Sequence, residues 1–121
     1  MAADDDAEAE ELIRGVLALG PRVVVLTGGH RAVATDLFLD AAGDGAIVAI
    51  EGVRHPDGAA HGSGCTHSAV LAAQLALGRS PLQAAIRARA AAGRAVARGL
   101  RDLGAGPGPV DVIGLQALRE S

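Results

Sequence analysis

The stretch "AHGSGCTHSAVLAAQLALGRSPLQAA" (residues 60–85) decides how the chain is interpreted. It opens with a glycine- and serine-rich turn, passes through the only cysteine of the 121 residues, and continues as a long alanine-rich apolar segment. An apolar run of this length between two glycine-containing turns is typical of a helix. We therefore predict a helix that starts near Cys65 and ends at Gly78.

A second long helix is predicted directly after the first. Ser80 can cap it, Pro81 suits the first helical position, and Gln83 can complete a capping box. We expect this helix to run to about Leu103 and to stop at Gly104, where a rigid turn and a short apolar tail follow. Its arginines are interpreted as a solvated face: Arg87, Arg89, Arg94, Arg98 and Arg101.

The residues before this stretch predict one helix and three strands. Residues 4–19 form a helical pattern with an acidic first turn, which suits the helix dipole. "RVVVLT" (22–27) is a β-branched run, typical of a strand covered on both faces. Residues 34–40 and 46–53 predict two further strands that pair as an antiparallel hairpin. The order helix, strands, helix, helix predicts an α/β layered domain.

The composition excludes several classes of function. Half of the residues are apolar and 21% are charged, as expected for a single globular domain over residues 1–121. With one aromatic residue, Phe38, and a net charge of −3, we expect no nucleic-acid partner. A lone cysteine, an acidic start and no apolar run near ~20 residues lead us to expect a cytoplasmic protein without membrane association.

Cys65 can be interpreted in three ways, of which the simplest is a buried residue that fills space. The second is chemical. Gly62, Ser63 and Gly64 carry little side-chain bulk, so their N–H groups can join those of a helix start in an anion site. The same field favours a thiolate in the first turn, which can serve as general base for a hydroxyl that attacks a phosphoryl group.

The third interpretation of Cys65 is a metal site. Together with His55, His61 and His67 it offers four side chains that can bind zinc. Their spacing is unlike that of the usual paired ligands, and side chains two positions apart on a helix do not share a face. A small metal-binding protein is therefore kept as one alternative, with no metal ligand assigned.

Three segments together resemble a known family. The stretch at residues 60–85 closely resembles the signature of hydroxymethylpyrimidine/phosphomethylpyrimidine kinases, the thiamine-pathway members of the ribokinase-like family. "VVVLTGGH" (23–30) is similar to their nucleotide-side strand and turn, and "GAGPGPVDV" (104–112) to their closing segment. The resemblance extends from about Leu12 onward. It implies a partial ribokinase-like fold, layered αβα with a short β-sheet and a β-hairpin.

The resemblance implies a role for each matching residue in the first of these segments. Cys65 corresponds to the family's base, which takes the proton from the substrate hydroxyl or phosphate oxygen. Gly62, Ser63, Gly64 and Cys65 correspond to the anion hole that neutralises charge on the transferred phosphoryl group. Sugar kinases of the wider family usually carry aspartate at the position of Cys65.

The ATP side of the resembling kinases corresponds to Thr27, Gly28 and Gly29 in this sequence. Family members often have a lysine where Thr27 stands, so a hydroxyl replaces a cation here. The resemblance implies ATP and Mg²⁺ as cofactors, although no magnesium ligand can be named from these residues.

Family enzymes are considerably longer, and the N-terminal half that carries most of their pyrimidine pocket has no counterpart in this sequence. We expect ATP-dependent phosphorylation of hydroxymethylpyrimidine or its phosphate, by a chain that associates with itself or with a separate N-terminal half. The alternative is a catalytically silent nucleotide- or phosphate-binding half that needs such a partner.

Overall fold

The computed structural model of the chain describes residues 6–28, 35–55 and 58–119 and confirms the α/β class. The chain divides into two compact units, Met1–Val53 and Arg54–Ser121. The expectation of a single domain over residues 1–121 stays a prediction. The elements in chain order are α1 (Asp6–Ala18), β1 (Val23–Leu26), β2 (Thr35–Asp40), β3 (Val48–Glu51), α2 (Ser63–Ala76), α3 (Pro81–Ala97) and α4 (Leu115–Arg119).

The first unit contains a three-stranded antiparallel sheet in the order β1-β2-β3. The register pairs Val25 with Phe38 on one side of the central strand and Leu37 with Ala49 on the other. The hairpin predicted from the sequence, between β2 and β3, is therefore confirmed.

The most buried strand of this sheet is β2, whereas β1, predicted to be covered on both faces, is covered only in part on each. All four residues of β1 are half-buried, whereas five of the six residues of β2 are buried. A β-branched run fits a pleated backbone wherever it lies in a sheet. The central place of β2, which composition does not reveal, determines its burial.

The core of the first unit lies between α1 and the sheet. Ile13 and Leu39 are both fully buried at 0% exposure, and Ala9 and Leu37 complete the cluster. The helix predicted over residues 4–19 is confirmed as Asp6–Ala18, and residues 4 and 5 lie outside the described part. Gly20 follows with a φ of +122°, a backbone conformation that favours glycine.

The turn after β2 is fixed by two aspartates. Asp40 Oδ1 accepts the Ala42 N–H at 2.8 Å and also contacts Arg22 Nε at 3.4 Å. These interactions, the Ala42 hydrogen bond first, hold the pKa of Asp40 below its usual value. Asp44 Oδ1 accepts the Ala46 N–H at 2.9 Å in the same exposed turn.

In the second unit α2 packs against α3, and the predicted start of α3 is confirmed. Ser80 has an extended backbone, its Oγ accepts the Gln83 N–H at 3.3 Å, and Pro81 is the first helical residue. Alanine supplies the buried face of α3, which allows close packing of its backbone. The buried residues are Ala84, Ala85, Ala88, Ala92 and Ala95.

The helix α3 ends at Ala97, so the predicted end near Leu103 was wrong. Gly99 is buried, and a Cβ at this position would collide with Ala59. The backbone then turns, and the Leu100 N–H donates to the Pro109 carbonyl at 2.9 Å. A tertiary contact therefore ends the helix. Among the arginines interpreted as a solvated face, Arg87, Arg94, Arg98 and Arg101 are exposed, and Arg89 is half-buried.

The apolar tail predicted after the turn at residues 104–109 leads into a short helix that the sequence did not predict. Asp111 is 3% exposed, and its Oδ1 accepts the Leu115 N–H, the first of α4, at 2.8 Å. No helix in the three described ranges combines the length and the apolar character needed to cross a membrane.

Candidate functional site

The predicted anion site lies at the first turn of α2. Gly62 is the N-cap residue and has a φ of +91°, a left-handed conformation that favours glycine over every residue with a Cβ. Its carbonyl accepts both the Thr66 N–H at 3.0 Å and the Thr66 hydroxyl at 2.9 Å. These two bonds close the first turn and fix the backbone on which the predicted site residues stand.

The N–H groups of this turn fall into two sets. The Ser63 N–H donates to the Ala60 carbonyl at 3.1 Å and is therefore used within the fold. Within the described residues no hydrogen bond uses the N–H groups of Gly64 and Cys65. The first turn of α2 also carries no acidic side chain. Two N–H groups at the positive end of a 14-residue helix are therefore open to an anion.

The side chain of Cys65 is exposed, which does not fit the interpretation of a buried filler. His67, two positions further along α2, is buried at 6% exposure, so the two residues occupy different sides of the helix as expected. Among the residues that the structure describes, no three His, Cys, Asp or Glu side chains form a group that could hold a metal ion.

The closing segment supports the backbone directly before α2. His61 forms a parallel β-bridge with Pro109, its N–H donates to the Gly108 carbonyl at 3.3 Å, and its carbonyl accepts the Val110 N–H at 3.0 Å. Gly108 leaves no room for a side chain, because a Cβ there would collide with the Leu100 carbonyl. The motif at residues 104–112 thus has a structural task beside the predicted anion site.

The predicted ATP-side residues lie in the first unit. Thr27 is exposed and Gly28 is buried, while Gly29 lies outside the described residues. The Gly28 N–H donates to Asp36 Oδ1 at 3.0 Å, and a Cβ on Gly28 would collide with the Thr35 carbonyl oxygen. Because this N–H is already used, a nucleotide contact by this turn has to involve other groups.

Two residues that shape the first turn of α2 and the backbone at Gly28 were not predicted from the sequence. Asp36 fixes the Gly28 turn, and its only signal was a carboxylate inside the apolar strand pattern "TDLFLD". Thr66 closes the first turn of α2, and its signal was a hydroxyl residue four positions after Gly62. Such a spacing allows a side chain in a first helical turn to reach the cap carbonyl.

Solved kinase structures contain a part with the fold of this chain. A pyridoxal kinase from Staphylococcus aureus in complex with AMP-PCP and pyridoxal aligns over 94% of this chain and 42% of its own, with 25% identity and a TM-score of 0.78. The ADP complex of Bacillus subtilis pyridoxal kinase aligns over 94% and 42%, with 27% identity and a TM-score of 0.77. The chain therefore has the fold of part of a ribokinase-like kinase, as the resemblance implied.

The particular family follows from the sequence comparisons. The family model described as phosphomethylpyrimidine kinase matches residues 1–111. Hydroxymethylpyrimidine/phosphomethylpyrimidine kinases of Rhizobium meliloti (strain 1021) and Streptomyces coelicolor (strain ATCC BAA-471 / A3(2) / M145) are 37% and 36% identical over 111 and 109 residues. The chain belongs to the phosphomethylpyrimidine kinase family. The matches cover 89% of this chain but 41% and 39% of these relatives.

Proposed function

We propose that this chain supplies the ATP-side part of a cytoplasmic kinase that moves the γ-phosphoryl group of ATP onto hydroxymethylpyrimidine or its monophosphate. One observation carries the proposal: the exposed thiol of Cys65 stands in a helical first turn whose Gly64 and Cys65 N–H groups are open to an anion. The names of the Rhizobium meliloti and Streptomyces coelicolor relatives support the substrate class.

The proposed roles follow from where charge develops during phosphoryl transfer, a reaction catalysed mainly by positioning and charge stabilisation. The N–H groups of Gly64 and Cys65 donate to oxygens of the transferred phosphoryl group, and the α2 dipole adds to their effect. Gly62 and Ser63 shape the anion hole through the backbone turn. The Cys65 sulfur receives the proton that leaves the acceptor hydroxyl.

We propose Thr27, Gly28 and Gly29 as the nucleotide-side residues. The fit rests on Gly28, whose backbone packs closely against Thr35, and on the exposed Thr27, whose hydroxyl can donate. The S. aureus and B. subtilis structures contain AMP-PCP and ADP, which supports ATP as phosphoryl donor. Because Mg²⁺ in kinases is held largely by substrate phosphates, we propose that it binds with ATP and assign it no residue.

Gly64→Ala provides the test of this function. No atom lies within 4 Å of a Cβ at Gly64, so the fold accepts the methyl group. The methyl group blocks the approach of a phosphoryl oxygen to the N–H groups. We expect the wild-type chain to bind AMP-PCP in calorimetric titrations and to phosphorylate hydroxymethylpyrimidine. The Gly64→Ala variant should lose this turnover without losing thermal stability.

Gly15→Ala is the matched control, because Gly15 is also helical and also has nothing within 4 Å of its Cβ position. Its turnover should equal that of the wild type. A Gly64→Ala variant with wild-type turnover contradicts the anion hole.

The alternative function is a catalytically silent nucleotide- or phosphate-binding half that needs a separate N-terminal partner. It is favoured by length, because the chain spans only 41% and 39% of the two curated relatives. The same titration and assay distinguish the two functions. AMP-PCP binding with turnover supports the kinase, and AMP-PCP binding without turnover supports the silent half.

We also propose that the chain associates, with itself or with a separate N-terminal half. The helix α2 contains no charged residue, and large apolar side chains at its end are exposed, with Leu75 at 44% and Leu77 at 72%. Exposed apolar surface of this kind is typical of interfaces. We expect sedimentation equilibrium to show association that Leu77→Glu weakens. A wild-type chain that stays monomeric at high concentration contradicts self-association.

A further inference from the structure

Asp36 is a buried carboxylate to which the proposed phosphoryl transfer gives no role. It lies on the central strand β2, is 3% exposed, and its Oδ1 accepts the Gly28 N–H at 3.0 Å. Aspartate is rarely buried to this extent, because removing a carboxylate from water costs free energy that its partners have to offset. A buried aspartate on an otherwise apolar strand therefore calls for a physical explanation.

The hydrogen bond to Gly28 spans the connection between β1 and β2. The last backbone pair of these strands is Leu26 with Leu37, so the ladder has ended before the chain reaches Gly28. At Gly28 the backbone N–H donates to the side-chain carboxylate of Asp36, eight residues away, instead of to a backbone carbonyl of the neighbouring strand. The place where the chain leaves the sheet is thus set by a side chain.

Gly28 is confined from a second direction. A Cβ at this position would collide with the carbonyl oxygen of Thr35, the residue that precedes Asp36. The backbone at Gly28 is buried between this contact and the Asp36 hydrogen bond. Two consecutive residues of β2 therefore define one close-packed position for Gly28.

We propose that Asp36 is a positioning residue, which through Oδ1 fixes the Gly28 N–H and so holds Thr27 and Gly28 in place on the nucleotide side. The inference rests on the proposed function, in which Thr27 and Gly28 lie on the ATP side. Asp36 itself does not touch ATP. Thr27 offers the nucleotide its hydroxyl, because the Gly28 N–H is committed to Asp36.

Two variants of Asp36 test the proposal, with AMP-PCP as the probe. Asp36→Ala removes the acceptor, so we expect hydrogen exchange of the Gly28 N–H, followed by NMR, to rise about 10- to 100-fold. AMP-PCP affinity in calorimetric titrations should fall at least about tenfold, because Gly28 is then no longer held in place by the hydrogen bond. Asp36→Asn keeps a side-chain oxygen that accepts, and its affinity should stay within about threefold of wild type.

Asp44→Ala is the matched control, because it removes a hydrogen bond of the same kind, from Ala46 N–H to a carboxylate, in an exposed turn of the same unit. Its AMP-PCP affinity should equal that of the wild type, which separates a positioning effect from a general loss of stability. Where Asp36→Ala fails to fold, Asp36→Val takes its place, because valine lacks the acceptor but suits a buried strand. Its AMP-PCP affinity should fall as expected for Asp36→Ala.

The outcomes for these variants distinguish a failure of the positioning role from a failure of the proposed function. A folded Asp36→Ala or Asp36→Val variant that binds AMP-PCP as the wild type does overturns the positioning role and leaves the kinase proposal standing. A folded Asp36→Asn variant with lost affinity overturns the role of the accepting oxygen. A wild-type chain that does not bind AMP-PCP overturns the proposed function itself, and the positioning role falls with it.

Discussion

Cys65→Ala is expected to lower phosphoryl transfer to hydroxymethylpyrimidine by about 10²- to 10⁴-fold, the usual contribution of a general base. The thiol is exposed in the first turn of α2, beside the open N–H groups of Gly64 and Cys65, where its sulfur can accept the substrate proton. The N–H groups remain in the variant, so AMP-PCP affinity should not change. Steady-state kinetics and calorimetric titration of the same preparation measure both quantities.

Two further substitutions serve as controls for Cys65→Ala. Ser68→Ala changes an exposed side chain one turn further along α2 and should leave turnover unchanged. Cys65→Asp should recover part of the activity, because a carboxylate is also a base and is favoured in a first helical turn. Unchanged turnover in Cys65→Ala would remove this residue from the mechanism.

Gly28→Ala is the substitution with the largest expected effect on the first unit. Its methyl group would collide with the Thr35 carbonyl, and relieving the collision separates the Gly28 N–H from Asp36. We expect a loss of about 1–3 kcal/mol in the free energy of unfolding, as for other overpacked positions. Urea denaturation measures this loss, and AMP-PCP titration should show weakened binding.

Gly106→Ala is the control for Gly28→Ala. Gly106 is a loop glycine without a positive φ, and nothing lies within 4 Å of its Cβ position. Its free energy of unfolding should stay within about 0.5 kcal/mol of wild type. If the urea concentration at the midpoint of unfolding is the same for Gly28→Ala and the wild type, the close contact with Thr35 does not constrain Gly28.

The sequence predicted those parts of the fold that local chemistry determines. The start of α3 followed from Ser80 and Pro81, because a cap acts within one turn of its helix. The end of α3 could not be predicted, because Ala59 approaches Gly99 from far away in the chain. The burial of β1 could not be predicted either, because its composition does not show that it occupies the edge position among the described strands.

The candidate site was predictable to a similar extent. The glycine-rich start of α2 and the exposure of Cys65 agree with a pattern that lies within one helical turn. The hydrogen bond of the Ser63 N–H to Ala60 was not foreseen, because a turn bond depends on dihedral angles that composition leaves open. Asp36 was missed since its partner Gly28 is eight residues away across a strand connection.

The bond between the Leu100 N–H and the Pro109 carbonyl closes the base of a loop whose residues 101–107 are all exposed. Insertions or deletions inside such a loop change its closure entropy only slightly, because that cost grows slowly with length. Evolution can therefore vary the length of this segment while Pro109 keeps its bridge to His61. Homologous chains should differ in length here far more readily than in the stretch at residues 61–70.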